Sequence, residues 1–487
     1  MVGEQPVPRY QYAPLEIFPR RRSAIGRDVE RLVLTCVWIT IATGAIVFTE
    51  PAPFDVLMLA LIGLLPVAGL IMLSPALVLY LGVWLIVAAG GLLASTASLD
   101  LPKSTIHTLV TLYLSVASMI LAGFVANNPD RHVRLILNAY LVSAGVAAAA
   151  GLAGYFNLVP GGYDTLTLFG RARGTFKDPN VFGAFLVPPL IYAVHLWLTR
   201  PFPRAILPLA ASMLYAFGIL LSFSRGAWAN MAVAMAAFAY LSFVTTTSNR
   251  SRVRLTLVGL TCTGLLVVGV VAATQIDLLS AMIAERATLD QSYDEGPQGR
   301  FGGHHKAIGL ILDNPFGIGA LEFTTRHHHE DVHNVYYSMF LNAGWVGGLF
   351  FIGIIVATLV VGLRHLFKSN ATQRLFIVIW SSLLAVVLEG LIIDTDHWRH
   401  LFLLIALTWG LITAGEPARQ REDRGGERQR DGWPAFRPAR AGTRFVAHEP
   451  MAPLTRATHR MRSARSLRIS RRRTSGVPHK SDTQSVH

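Results

Sequence analysis

Twelve apolar runs, each long enough or nearly long enough to cross a lipid bilayer, follow one another along the chain. They fall at 32–49, 54–73, 75–95, 104–125, 133–156, 180–198, 205–221, 226–244, 255–273, 335–363, 375–392 and 400–415. A helix needs about 20 apolar residues to traverse the hydrocarbon core, where every backbone N–H and C=O must be satisfied internally. The pattern therefore predicts an all-α fold: a polytopic integral membrane helical bundle of about 12 transmembrane helices. Composition agrees, with 52% hydrophobic residues, only 15% charged and a mean hydropathy of +0.45, against roughly a quarter charged in soluble domains. The run 335–363 exceeds one crossing and reads as a helix that begins outside the bilayer.

Basic residues orient the bundle, because Arg and Lys accumulate on the cytoplasmic side of short loops. Arg9, Arg20, Arg21, Arg22, Arg27 and Arg31 precede or open the first run. Alternate connections then carry Arg131 and Arg134; Arg200 and Arg204; Arg250, Arg252 and Arg254; and Arg364, Lys368 and Arg374. With the C-terminal tail these make up 33 of the 43 Lys and Arg residues. Both termini are thus expected in the cytoplasm. The expected organisation is a basic N-terminal segment 1–30, a membrane domain 31–415 whose largest outward loop covers about 274–333, and a tail 416–487. No short apolar region ends in a small-residue cleavage site, so the first run reads as a retained span. The tail holds 17 basic against 7 acidic residues and lacks apolar periodicity, which predicts disorder. Its charge suits anionic membrane lipid better than nucleic acid. Cys36 and Cys262 both lie inside apolar runs and form neither a disulfide framework nor a zinc spacing.

Arginines in outward loops run against topogenesis and call for a local reason. In "GRARGTFKDPN", Arg171, Arg173 and Lys177 precede Asp178, read as an N-cap, and Pro179, read as the first helical residue. Cations beside a helix N-terminus are suited to an anion such as phosphate. "SFSRG" places Arg225 at an outward turn, where snorkelling to lipid headgroups is the alternative role. Arg300 opens "GRFGGHHKAIGLILDNPFGIG" in the largest outward loop. Residues 305–312 there read as a short helix on the membrane surface, and Gly317 and Gly319 as a turn back toward the bilayer.

"HHHEDVHN", residues 327–334, puts four histidines and two acids at the entrance of the run 335–363. Three readings apply. His327, His329, Glu330 and His333 are possible zinc ligands, although adjacent histidines cannot all face one ion. The segment can be a solvated loop, which suits His327 to His329. His333, beside the helix start, sits where the dipole favours a neutral imidazole, the form a general base needs. Glu389, an acid near the outer end of an apolar span, is a candidate either for binding substrate or for pairing with an arginine across the bundle. "AAAAGLAG" at 147–154 and "AAGGLLAS" at 88–95 read as close helix packing.

These stretches together resemble the O-antigen ligase superfamily of bacterial envelope glycosyltransferases, which also includes O-antigen polymerases and protein O-oligosaccharyltransferases. The likeness rests on "RARGTFKDPN", "SFSRG", the Arg300 segment with its Asn-Pro-x-Gly-x-Gly, and "HNVYYSMFLNAGWVGG" with His333, Asn334, Gly344 and Gly347 in place. The resemblance implies a fold like the C-type glycosyltransferases, with a large periplasmic loop over the site, in the bacterial inner membrane. It implies a donor glycan on undecaprenyl diphosphate and an acceptor that is lipid A–core or a growing glycan. It also implies diphosphate binding by Arg225 and Arg300, activation of the acceptor hydroxyl by His333, and no metal or other cofactor. Arg171, Arg173, Lys177, Asn334 and Glu389 are added as candidate substrate-binding residues. Gly348 stands where many ligases carry threonine, which leaves ligase and polymerase both open. From another class, a transporter is the alternative, since twelve spans suit one; but transporters gather charge and broken helices near the midplane, and here the charges are in the outward loops. A zinc-dependent membrane hydrolase, lost with chelator, is a third alternative.

Overall fold

Prolines set several of the helix starts. Pro53, Pro75, Pro129 and Pro179 each occupy the first helical position, where the missing N–H costs nothing and the fixed φ already suits a helix. The computed structural model describes residues 26–250, 252–257, 259–260, 264, 271, 275 and 299–414, all within the compact unit Met1–Glu427. Its helices are α1 (Arg27–Ala42), α2 (Pro53–Val67), α3 (Pro75–Ser95), α4 (Leu101–Asn127), α5 (Pro129–Tyr155), the short α6 (Gly162–Leu166), α7 (Pro179–Thr199), α8 (Ile206–Leu221), α9 (Arg225–Thr245), α10 (Arg300–Asp313), α11 (Val335–Leu366), α12 (Gln373–Glu389) and α13 (Arg399–Ala414).

Six of them, α3, α4, α5, α7, α9 and α11, are long and apolar enough to cross a membrane. Five others, α1, α2, α8, α12 and α13, stand at predicted runs with 15 to 17 residues each. Most of the run 255–273, the loop residues 276–298, the N-terminal segment up to residue 25 and the tail from 415 lie outside the described residues. The core is aromatic where α3, α11 and α13 meet. Trp84 lies 5.9 Å from Phe351 and 5.3 Å from Phe402, ring centroid to ring centroid. The two small-residue stretches do pack closely: a Cβ on Gly90 would stand 2.4 Å from the Ala343 carbonyl oxygen, and one on Gly151 2.7 Å from Phe182.

Polar contacts sort the connections into two ends, as the alternation of basic loops requires. At one end Arg131 pairs with Glu30 at 2.6 Å, and Met72 N–H donates to the Gly123 carbonyl at 2.9 Å. At the other, Lys177 faces Glu50 at 3.4 Å, Arg399 grips Asp55 through two bonds of 2.8 and 2.6 Å, and Ser98 donates to Glu322 at 2.6 Å. Every candidate site residue belongs to this second end.

Two features depart from the sequence expectation. The all-α prediction misses a hairpin, β1 (Thr167–Leu168) and β2 (Arg171–Ala172), paired Thr167 to Ala172 and Leu168 to Arg171. Its turn, Phe169-Gly170, has φ of +51° and +71°, the doubly left-handed turn that tight hairpins favour. The surface helix expected over 305–312 is longer, Arg300–Asp313. The long run at 335 does begin with a separate piece, because α11 breaks at Gly344 (φ +68°, ψ −176°). A Cβ there would lie 2.8 Å from the Pro315 carbonyl oxygen, so glycine is required both by the dihedral and by the chain returning through Asn314–Gly317.

Candidate functional site

Two turns supply the central residues. The first links α8 to α9. Ser224 caps α9, its hydroxyl oxygen accepting from Ala227 N–H at 3.2 Å, so Arg225 becomes the first helical residue, half-buried. Ser222 stabilises the turn from within, accepting from Ser224 N–H at 3.3 Å and donating to the Ile219 carbonyl at 2.6 Å. Arg171, from β2, donates to the Ser222 carbonyl at 2.8 Å and to Asn180 Oδ1 at 2.7 Å. The structure thus brings Arg171 to the Arg225 turn.

The second turn carries His333. Asn334 is the N-cap of α11: its Oδ1 accepts from Tyr336 and Tyr337 N–H at 3.1 and 3.3 Å, and its Nδ2 donates to the Leu391 carbonyl at 3.1 Å. Both ends of the amide are therefore committed to shaping the turn. His333 precedes the cap with φ +52°, a left-handed conformation costing about 1–2 kcal/mol for a residue other than glycine. The strain is met by Asp394, whose Oδ2 accepts from His333 N–H at 3.1 Å while Oδ1 accepts from Ser338 Oγ at 2.5 Å. Burial pushes the Asp394 carboxyl up to about 7, reinforced by the neighbouring Asp396 and partly offset by Ser338. The imidazole is 30% exposed, with Nε2 4.0 Å from Glu330 Oε2.

The end of α12 joins the two turns. Glu389 is buried, and its Oε2 accepts from Asn230 Nδ2 at 2.5 Å. Oε1 has no hydrogen-bond partner among the described residues and lies 3.0 Å from where a Cβ on Gly226 would be, beside Arg225. The next residue, Gly390, accepts from Val335 N–H at 2.9 Å, and Tyr336 donates to the Val387 carbonyl at 2.7 Å. One short stretch of chain, 387–394, therefore has Arg225 on one flank and His333 on the other. The observed hydrogen-bond partner of Glu389, Asn230, is neither substrate nor an arginine.

Arg300 starts α10, and its side chain lies outside the described residues. The register of α10 against α11 can still be read from its neighbours. His304 and Tyr337 meet edge to face with ring centroids 5.6 Å apart, and Trp345 Nε1 donates to the Ile311 carbonyl at 2.7 Å. The two helices run in the same direction.

Arg173 and Lys177 are drawn elsewhere. Arg173 donates twice to the Thr165 carbonyl, at 3.2 and 3.0 Å, and Lys177 faces Glu50. The N-terminus of α7, expected as an anion site, is already used: Asp178 Oδ1 accepts from Asn180 and Val181 N–H at 2.6 and 3.3 Å. Asp178 and Pro179 thus take the cap and first-helical places the sequence assigned them, and the cap closes the site. Asp394, Ser338 and Asn230 were not among the sequence candidates. The acid at 394 stands in "DTDHWR", directly after the Glu389 span, which is the one signal that could have drawn attention to it.

The histidine run does not gather into a metal cage among the described residues. His328 Nδ1 lies 3.2 Å from both the N and O of Glu330, and His329 Nε2 lies 3.7 Å from the Glu330 carboxylate. No curated protein matches the chain. Residues 210–352, which hold Arg225, the Arg300 segment, His333 and Asn334, match the profile of the family described as O-antigen ligase. Over that segment this integral membrane protein is similar to the O-antigen ligase family.

Proposed function

We propose that the protein is a glycosyltransferase that moves a glycan from undecaprenyl diphosphate to lipid A–core at the periplasmic face of the bacterial inner membrane. The reading keeps both termini and the tail in the cytoplasm, with twelve spans. The observation that supports it is the 387–394 stretch, which contacts both the start of α9, next to Arg225, and the His333 turn. His333 accepts the proton of the acceptor hydroxyl, and that oxygen attacks the anomeric carbon. The carbon–oxygen bond to the diphosphate breaks on the opposite face, inverting the centre and releasing undecaprenyl diphosphate. Arg225 and Arg300 receive the charge that develops on the leaving group, and Arg171 supports the Arg225 turn. Asp394 and Asn334 orient His333, and Glu389 borders the arginine side. The donor is already activated, so the step draws on no nucleotide.

A polymerase using a growing glycan as acceptor has the same chemistry, and Gly348 in the place of threonine favours keeping it in view. Lipopolysaccharide and polyprenyl-linked glycan from a deletion strain, complemented with wild type or His333→Ala, distinguish the two. Long chains missing from lipid A and accumulating on the carrier, uncorrected by the variant, identify a ligase. Single repeat units on lipid A identify a polymerase. Normal profiles for both would refute the transferase reading and return a transporter to the front.

A further inference from the structure

Just beyond Asp394 lies one group of side chains to which the transfer proposed above gives no role. His107, in the second turn of α4, and Asp396 and His397, between α12 and α13, each offer one ligand-type atom, and the three atoms lie within 4.8 Å of one another. Asp396 is 6% exposed, yet His107 Nε2 stands 3.5 Å from its Oδ2, beyond a normal hydrogen bond. A buried carboxylate held so loosely is costly without a nearby cation. The His107 and His397 rings stack with centroids 4.0 Å apart, so two imidazoliums would repel. His397 Nε2 lies 3.1 Å from the His107 carbonyl oxygen and 3.0 Å from Thr111 Oγ1. An imidazole N–H donated to a backbone carbonyl fixes the tautomer and turns the other ring nitrogen toward a metal, the usual support of a metal-bound histidine.

We propose that His107, Asp396 and His397 form a binding site for one divalent transition-metal ion of the zinc class, at the end of the bundle that carries His333. Two imidazoles and one carboxylate without a thiolate suit Zn2+, with water as the fourth ligand. Bonds of about 2.1 Å place tetrahedral ligands roughly 3.4 Å apart, so the widest pair of ligand atoms closes by up to about 1.4 Å on binding. The ion bolts the 390–398 segment to α4 and takes no part in glycan transfer. This inference does not depend on the transferase reading, because metal binding is measured without donor or acceptor.

The test uses the full chain purified in detergent without a histidine tag, stripped with chelator and dialysed against zinc chloride. Metal content and thermal midpoint are then measured. Wild type is expected to retain about one zinc per chain and to gain thermal stability from it. His107→Gln and Asp396→Asn are expected to bind at least tenfold more weakly and to lose the thermal shift. A chain with His327, His328 and His329 all changed to alanine is expected to bind as wild type does. Wild type without zinc or without a thermal shift would overturn the proposal, as would undiminished binding in His107→Gln. Loss of zinc in the triple alanine variant would move the site to the exposed histidines. Should either ligand variant fail to fold, the wild-type and triple-variant measurements decide the question.

Discussion

Replacing Asp394 by alanine or by asparagine separates positioning from chemistry at His333. Alanine removes the acceptor for two hydrogen bonds, His333 N–H at 3.1 Å and Ser338 Oγ at 2.5 Å. A buried donor left unsatisfied costs about 1–3 kcal/mol, and the φ of +52° at His333 adds about 1–2 kcal/mol of strain that nothing then holds in place. A turn destabilised by about 2 kcal/mol populates its working conformation roughly 30-fold less. Asparagine preserves the shape: its Oδ1 can accept from His333 N–H and its amide can donate to Ser338 Oγ. With purified protein, polyprenyl-diphosphate glycan and lipid acceptor, kcat is expected to fall roughly 30-fold in Asp394→Ala and no more than about fivefold in Asp394→Asn. KM for the donor should hardly change in either. Full kcat in Asp394→Ala would refute the positioning argument. So would an Asp394→Asn variant as slow as the alanine at an unchanged thermal midpoint, since charge rather than geometry would then be what counts.

Gly344→Ala should lower the thermal midpoint in detergent and reduce assembled protein, by about 2–4 kcal/mol, because its Cβ meets Pro315 and Phe316 at 2.8 Å in a left-handed backbone. His333→Asn should fold as wild type, since asparagine tolerates positive φ, and yet give no transfer product in the reconstituted assay. Glu322 accepts from Ser98 at 2.6 Å and Leu99 N–H at 2.7 Å, with Arg326 Nε 2.7 Å from its other oxygen as an ion pair. Burial alone would raise its carboxyl, but those partners outweigh it and hold it below the usual range. Its contribution is therefore complete above the ordinary carboxylate pKa of about 4.3 and is lost as pH falls through the depressed value. Thermal midpoints measured from pH 7 to 3 should fall more steeply for wild type than for Glu322→Gln. A double-mutant cycle on Asn230→Ala and Glu389→Ala should show coupling of at least about 1 kcal/mol in stability, given their 2.5 Å bond.

The helices were legible because length and apolarity suffice to identify them, and prolines mark their starts. The caps at Asp178 and Asn334 were legible too, as local contacts spanning two or three residues. Contacts between distant segments were not. Asp394 is 61 residues from His333, and Asn230 is 159 from Glu389, and no periodicity encodes which helix ends will meet. Arg171, Arg173 and Lys177 divide for the same reason. Neighbours in sequence, they lie in strand β2 and along its exit, and each takes a different partner. The match to the O-antigen ligase family covers 210–352, whereas Glu389 and Asp394 lie beyond it; Glu389 stood out as an acid in an apolar span, but the part played by Asp394 had to be found from the fold.

The break at Gly344 also bears on the depth at which the proposed transfer would take place. From Trp345 to Leu366 the second piece of α11 is roughly 33 Å long at 1.5 Å per residue, about one hydrocarbon thickness. With that piece filling the slab, the first piece would stack above it and His333 would lie at headgroup level. In the proposed transfer a polyprenyl chain would not lift its diphosphate far from that plane, so the donor would present its scissile bond at the height of His333 and the acceptor would be brought down to meet it.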